Sequence, residues 1–199
     1  MITKIVLTGG PCAGKTSAIQ RIRERFETKG YAVLSVSEAA TELIFGGVAP
    51  WTCRTSDNYQ KWQMKLQIEK EKIFYDAALD MPAENILILC DRGIMDNRAY
   101  MDEESFWEMF GDMGLDEEMV YKEYDAIFHL DTAAKGVKQY YTLSNNGARK
   151  ESASEAAALD DRILAAWEKH PYRVIIDNST DFEGKIGRLI HAIEEFLKE

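Results

Sequence analysis

Eight residues constrain this chain more than any others: Gly9-Gly10-Pro11-Cys12-Ala13-Gly14-Lys15-Thr16. They fit the pattern G-x-x-x-x-G-K-[ST] and stand between an apolar run, Ile5-Val6-Leu7, and a helical pattern that begins near Lys15. A strand, a turn of small residues and a helix start, in that order, make a nest of inward-facing N–H groups at the positive end of a helix dipole. Phosphate is the guest such a nest selects. The expected contacts come from Gly10, Pro11, Cys12, Ala13, Gly14, Lys15, Thr16 and Ser17. Lys15 would reach the β- and γ-phosphates, and the Thr16 hydroxyl would hold Mg²⁺.

The rest of the chain reads as strands alternating with helices. Strands are expected at Lys4 to Thr8, Tyr31 to Val36, Ile86 to Cys90, Ala126 to Leu130 and Arg173 to Asp177. The run Ile86 to Cys90 is uniformly apolar, which implies burial on both faces. Helices are expected at Ser17 to Lys29, from a Ser37 cap to Phe45, from Asp57 to Leu79, at Glu155 to Lys169 and at Asp181 to Leu197. Two or three short helices fill the span from Asn97 to Glu123. This alternation predicts one α/β domain over residues 1–199, a parallel sheet between two helical layers. The segment from Thr132 to Ser154 is polar and poorly periodic. Long segments of that kind are often lids over active sites.

Composition narrows the partners. The formal net charge of -10 argues against a nucleic-acid or anionic-membrane surface, because phosphate-rich partners select basic faces. Three scattered cysteines, Cys12, Cys53 and Cys90, lack metal-ligand spacing and suit a reducing compartment. No apolar run reaches membrane-spanning length, and the N-terminus enters a strand at once, so no leader and a cytoplasmic location are expected. Composition leaves oligomeric state open.

Three further groups of residues carry chemistry. Asp91 ends the third strand, at the sheet edge where ligands bind in such folds. It can orient Mg²⁺ or take a proton from an attacking hydroxyl. Arg92 follows where many phosphate-loop ATPases place a second carboxylate to activate water; an arginine can hold phosphate or acceptor but is no base. Within the lid candidate, Arg149 is the best-suited cation, with Lys135, Lys138 and Lys150 as competitors and Glu151 as an orienting partner. From Trp51 to Gln67, aromatic residues interleave with amides. Trp51, Tyr59 and Gln63 suit a flat heterocycle, half the aromatics of such a helix being core, and Glu38 is placed to bind an acceptor hydroxyl. Asn178 and Ser179, after the fifth strand, can lie against a nucleotide base, whereas His129, in an apolar strand, reads as a satisfied core residue.

Taken together, Gly9 to Thr16, Asp91-Arg92-Gly93, Arg149-Lys150-Glu151-Ser152, Leu159-Asp160, Trp167, His170-Pro171 and Asp177 to Asp181 resemble the NadR/translocation-defect ATPase family, which is similar to nucleoside and nucleotide kinases. The resemblance covers nearly the whole chain and is most specific in its C-terminal block. It implies a five-stranded parallel sheet in the order 2-3-1-4-5, Mg²⁺ with ATP or GTP, and a closing lid. It also implies that Lys15 and Thr16 hold phosphates and metal, that Asp91 and Arg92 serve the reaction centre, and that Arg149 is the lid arginine. Residues 1–199 hold no stretch expected to match the DNA-binding or adenylyltransferase segments of NadR-type relatives or the extra C-terminal domain of the eukaryotic branch. Neither relative's full biology is therefore expected to transfer.

Two activities fit these residues. One is transfer of a γ-phosphoryl group from ATP, or GTP, to a nucleoside-like small molecule. The other is a nucleotide switch or slow hydrolase acting through protein partners. A guanine-reading N-K-x-D motif is absent, and the D-x-x-G at Asp181 to Gly184 follows the fifth strand, where it is expected to lie away from the phosphates.

Overall fold

The computed structural model describes residues 1–136 and 152–198. Five strands, β1 (Ile2–Thr8), β2 (Ala32–Val36), β3 (Ile86–Asp91), β4 (Ala126–Leu130) and β5 (Arg173–Ile176), pair in parallel in the order β2-β3-β1-β4-β5. Among the described residues, seven α-helices connect or flank them: α1 (Lys15–Glu27), α2 (Ala39–Phe45), α3 (Ser56–Leu79), α4 (Glu103–Asp112), α5 (Glu117–Lys122), α6 (Ala153–Ala166) and α7 (Phe182–Phe196). A 3₁₀ helix (Ile94–Tyr100) follows β3.

Strand alternation sorts the core into two layers. Ile5, Leu7, Leu87, Leu89, Phe128 and Leu130 meet Ile22 and Phe26 of α1 and Ile186, Leu189 and Ile193 of α7. Val6, Ile88, Cys90 and Ile127 face the other way, against Met64 of α3, Phe106 and Phe110 of α4, Val120 of α5 and Trp167. Each fully buried side chain of this size contributes about 1.5–3 kcal/mol, so both faces of the sheet are held by burial.

Helix boundaries follow their caps. Thr55 accepts from the Asn58 N–H at the start of α3. Ser152 and Glu155 form a reciprocal capping box at α6, two residues earlier than the pattern of apolar positions suggests. Ser37 does not cap α2: its hydroxyl donates to Glu42, it accepts from Lys70, and Glu38 takes the N-cap position without a side-chain bond to the helix N–H groups. A nearby lysine and carboxylate outcompete the helix N–H groups for that hydroxyl. β3 runs one residue further than its apolar run, so Asp91 still pairs in register with Leu7. That places Asp91 beside the loop leaving β1.

Candidate nucleotide site

The loop from Gly9 to Gly14 turns at the carboxyl edge of the sheet. Gly9 has φ 136°, and a Cβ there would lie 2.1 Å from the Leu130 carbonyl oxygen, so no side chain fits. Cys12 and Arg92 are the two non-glycine residues with positive φ among the described residues, at 58° and 75°. Such backbone costs on the order of 1 kcal/mol per residue and concentrates at functional turns. Both lie at this edge.

Framework donors tie back the loop's carbonyl groups. Thr132 Oγ1 donates to Pro11 O, the Ala133 N–H to Cys12 O at 3.3 Å, and Lys185 Nζ to Ala13 O at 3.3 Å. A trans peptide points its N–H opposite to its C=O. Anchoring these carbonyls outward therefore turns the N–H edge toward the hollow. The Gly10 N–H points elsewhere, donating to Asp160 Oδ1 at 2.5 Å. Lys15 is buried, its ammonium on Gly9 O at 3.0 Å and Gly10 O at 3.4 Å. Thr16 and Ser17 are exposed on the first turn of α1.

Across from Lys15 stands Asp91. Its Oδ1 is buried and has no hydrogen-bond partner. Burial pushes its carboxyl above the usual range, and Lys15 opposes that shift. Arg92 is buried and held from several sides. Its N–H donates to Leu7 O at 3.0 Å, Nε donates to Glu38, Nη1 donates to Gly9 O at 3.3 Å, and Asp96 Oδ2 lies 3.6 Å from Nη1. Burial alone would raise the Glu38 carboxyl, but Arg92 and Lys15 hold it at about 2. Thr41 Oγ1 donates to its second oxygen at 2.6 Å. Glu38, Lys15, Asp91 and Arg92, far apart in sequence, thus form one charged cluster.

The aromatic and amide stretch divides. Tyr59 is buried, its hydroxyl near Ala40 O; burial together with Glu38 pushes its pKa up to about 12. Gln63 is buried and donates to Asn97 Oδ1 at 3.0 Å, while Gln67 donates to the Arg92 carbonyl at 3.2 Å. Trp51 is 67% exposed, and Trp62 also faces outward. Gln60 Oε1 is buried without a partner. Asn178 uses its amide internally: Nδ2 donates to Thr132 O and Lys135 O, both at 2.8 Å, and Oδ1 accepts from Lys185 at 2.9 Å. Ser179 is exposed, and its hydroxyl donates to Asp177 at 2.7 Å. The D-x-x-G at Asp181 to Gly184 does not lie away from the phosphate loop as expected, because Phe182 packs against Gly14. Arg149, Lys138, Lys150 and Glu151 lie outside the described residues.

Three residues to which the sequence reading gave no role, Asp160 among the motifs of the resemblance, hold this edge together. Asp96 accepts from Thr8 Oγ1 at 2.8 Å and from Trp167 Nε1 at 2.5 Å besides facing Arg92. Lys185 Nζ also donates to Asp131 O at 2.5 Å, and burial drops its pKa to about 8 against the pull of Asp131. Asp160 sits with His129 and Asp131, ligand atoms within 4.8 Å of one another. His129 is not the satisfied core residue its strand suggests: Nε2 lies 3.2 Å from Asp160 Oδ1 and 3.8 Å from Asp131 Oδ1, off the line of a hydrogen bond. Lys135, 2.7 Å from Asp160 and 2.6 Å from Asp161, supplies the cation of this cluster. Burial would lift the Asp160 carboxyl, but His129, Lys135 and the Gly10 N–H hold it at about 2. A signal for two of the three was present: Lys185 and Asp160 fall on the apolar stripes of their helices, beside Leu189 and Ile163.

No helix among the described residues is long and apolar enough to cross a membrane. No curated protein matches the chain. A family model described as an AAA domain matches residues 4–185. With a phosphate loop on the central strand of a parallel five-stranded sheet and a match over that span, the chain belongs to the AAA-domain family of P-loop NTPases.

Proposed function

We propose that this nucleotide-binding domain transfers the γ-phosphoryl group of ATP or GTP to a nucleoside-like small molecule. One observation carries the reading. Asp91 keeps a buried, unpartnered Oδ1 within the electrostatic reach of Lys15, and the residue after it is an arginine already engaged by Glu38 and Asp96. An orphaned carboxylate oxygen fits a cation held jointly with Thr16. Mg²⁺, when bound, would offset the charge of the β- and γ-phosphates. The chain's own groups divide the remaining work. Lys15 leaves the Gly9 and Gly10 carbonyls for phosphate oxygens. Glu38, ionised at neutral pH and partly exposed, orients the acceptor hydroxyl. Arg92 fixes Glu38 and keeps water from finding a second base at that position. Arg149 is proposed, on sequence grounds, as the cation on the transferring group, and Trp51 as an outer wall for the acceptor's ring.

A second reading, a nucleotide switch acting through protein partners, draws on the exposed Phe45 and Trp51 beside α2. The two separate in one assay. The chain is incubated with Mg²⁺, ATP or GTP, and a panel of nucleosides and ribosylated bases, and products are resolved by mass. Transfer predicts a phosphorylated acceptor and faster nucleotide consumption in its presence. Nucleotide hydrolysis unaffected by every acceptor would favour the switch.

A further inference from the structure

Phe182 opens α7, immediately after the turn that follows β5, and is 44% exposed. One side of its ring is covered by the phosphate loop. A Cβ on Gly14, which has φ 89°, would meet Phe182 Cε2 at 2.6 Å and Cζ at 3.4 Å. The ring thus borders the end of the loop where α1 begins, beside exposed Thr16 and Ser17. That contact leaves nearly half of the side chain exposed.

The sheet order gives this position a direction. Asp91 stands on the β3 side of the central strand, and Phe182 follows β5 on the opposite side. A triphosphate whose γ end lies toward Asp91 carries its ribose and base away from β3, toward β4 and β5. There the polar group best suited to read a base edge is already engaged: both Nδ2 hydrogens of Asn178 go to backbone carbonyls and its Oδ1 to Lys185. Among the described residues, Phe182 adds an exposed aromatic side chain there. Stacking reads a base by its π-surface and tolerates its hydrogen-bonding edge.

We propose that Phe182 is the stacking platform for the base of a bound purine nucleoside triphosphate, and that it takes adenine and guanine alike. This rests on the donor-site reading above. Lys185 serves it as a positioning residue, tying Asn178, Asp131 O and Ala13 O into one rigid rim.

Calorimetric titration of the full chain with Mg²⁺ tests it, using nonhydrolysable ATP and GTP analogues and inorganic tripolyphosphate. The expected wild-type result is ATP and GTP analogues within about tenfold of each other and both tighter than tripolyphosphate. Phe182→Ala is expected to lose roughly 5- to 100-fold in nucleotide affinity with tripolyphosphate affinity unchanged, and Phe182→Trp to retain nucleotide binding. Equal weakening of nucleotide and tripolyphosphate in Phe182→Ala would overturn the platform, leaving the ring as a support for Gly14. Unchanged nucleotide affinity would overturn it too, with the donor site still standing. A purine preference well beyond tenfold would overturn the tolerance. Wild-type protein that binds neither nucleotide nor tripolyphosphate would overturn the donor site itself.

Discussion

The two edges of the sheet both bury a carboxylate near a lysine, and they do so differently. At the amino edge, Glu71 accepts from Tyr124 Oη and from Gln67 Nε2, both at 3.1 Å, with Lys4 Nζ at 3.6 Å. Lys4 reaches Glu123 at 3.0 Å as well. At the carboxyl edge, Asp91 leaves Oδ1 bare. Burial lifts both carboxyls above the usual range, opposed by Lys4 in one case and Lys15 in the other. Partners, not burial, separate them. The amino edge also holds a cavity of about 530 Å³ lined by Ile2, Lys4, Glu71, Tyr75 and Met119. That cavity is remote from the phosphate loop. The reading proposed here rests instead on a buried acceptor kept without a donor beside the phosphate-loop lysine, because leaving it bare costs stability unless a ligand completes it.

The sharpest way to break this contrast is at the amino edge. Glu71→Ala leaves the buried Lys4 ammonium with Glu123 as its remaining carboxylate and takes the acceptor from Tyr124 and Gln67, and is expected to cost about 3 kcal/mol, read by urea denaturation. Glu71→Gln, which keeps an acceptor for Tyr124, is expected to cost less. Nucleotide affinity of the folded protein should be the same in both. A loss under about 1 kcal/mol in Glu71→Ala would mean that the amino-edge pair is not structural.

At the carboxyl edge the sign reverses. Asp91→Asn removes the charge of a carboxylate whose buried Oδ1 has no hydrogen-bond partner and is expected to stabilise the ligand-free protein by about 1 kcal/mol at neutral pH. Because burial raises the folded-state pKa of Asp91, the folded protein holds that proton more tightly than the unfolded chain. The wild type therefore recovers stability as pH falls through that raised value, and the advantage of Asp91→Asn fades toward the ordinary carboxylate range. Denaturation midpoints of the two proteins at pH 7 and near pH 4 check this. Destabilisation by Asp91→Asn at neutral pH would show that Asp91 is bonded within the fold.

Much of this was legible in the sequence. The phosphate loop, the strands and the long α3 rest on local patterns: a motif between two periodicities, apolar runs, and a stretch without Pro or Gly. The sheet order came through family resemblance rather than from any pattern in the strands. Less was legible where several partners compete for one group. Ser37 has the chemistry of a cap, but Lys70 and Glu42 claim it. Asn178 has the chemistry of a base reader, yet its amide is engaged by Lys185 and two carbonyls. Arg92 was legible as a cation at the reaction edge, but not as the residue fixing Glu38 against Asp96. Such pairings join residues tens of positions apart, and no local periodicity records them.

Binding of Mg²⁺ with a nonhydrolysable triphosphate tests the central claim, that the bare oxygen of Asp91 completes the nucleotide site. Calorimetry on wild type and Asp91→Asn, each with and without Mg²⁺, isolates the contribution of the ion. The expected result is that Mg²⁺ strengthens wild-type binding by about tenfold or more and that Asp91→Asn, folded and no less stable, loses that increment. An Asp91→Asn protein that keeps the full Mg²⁺ increment would contradict the account.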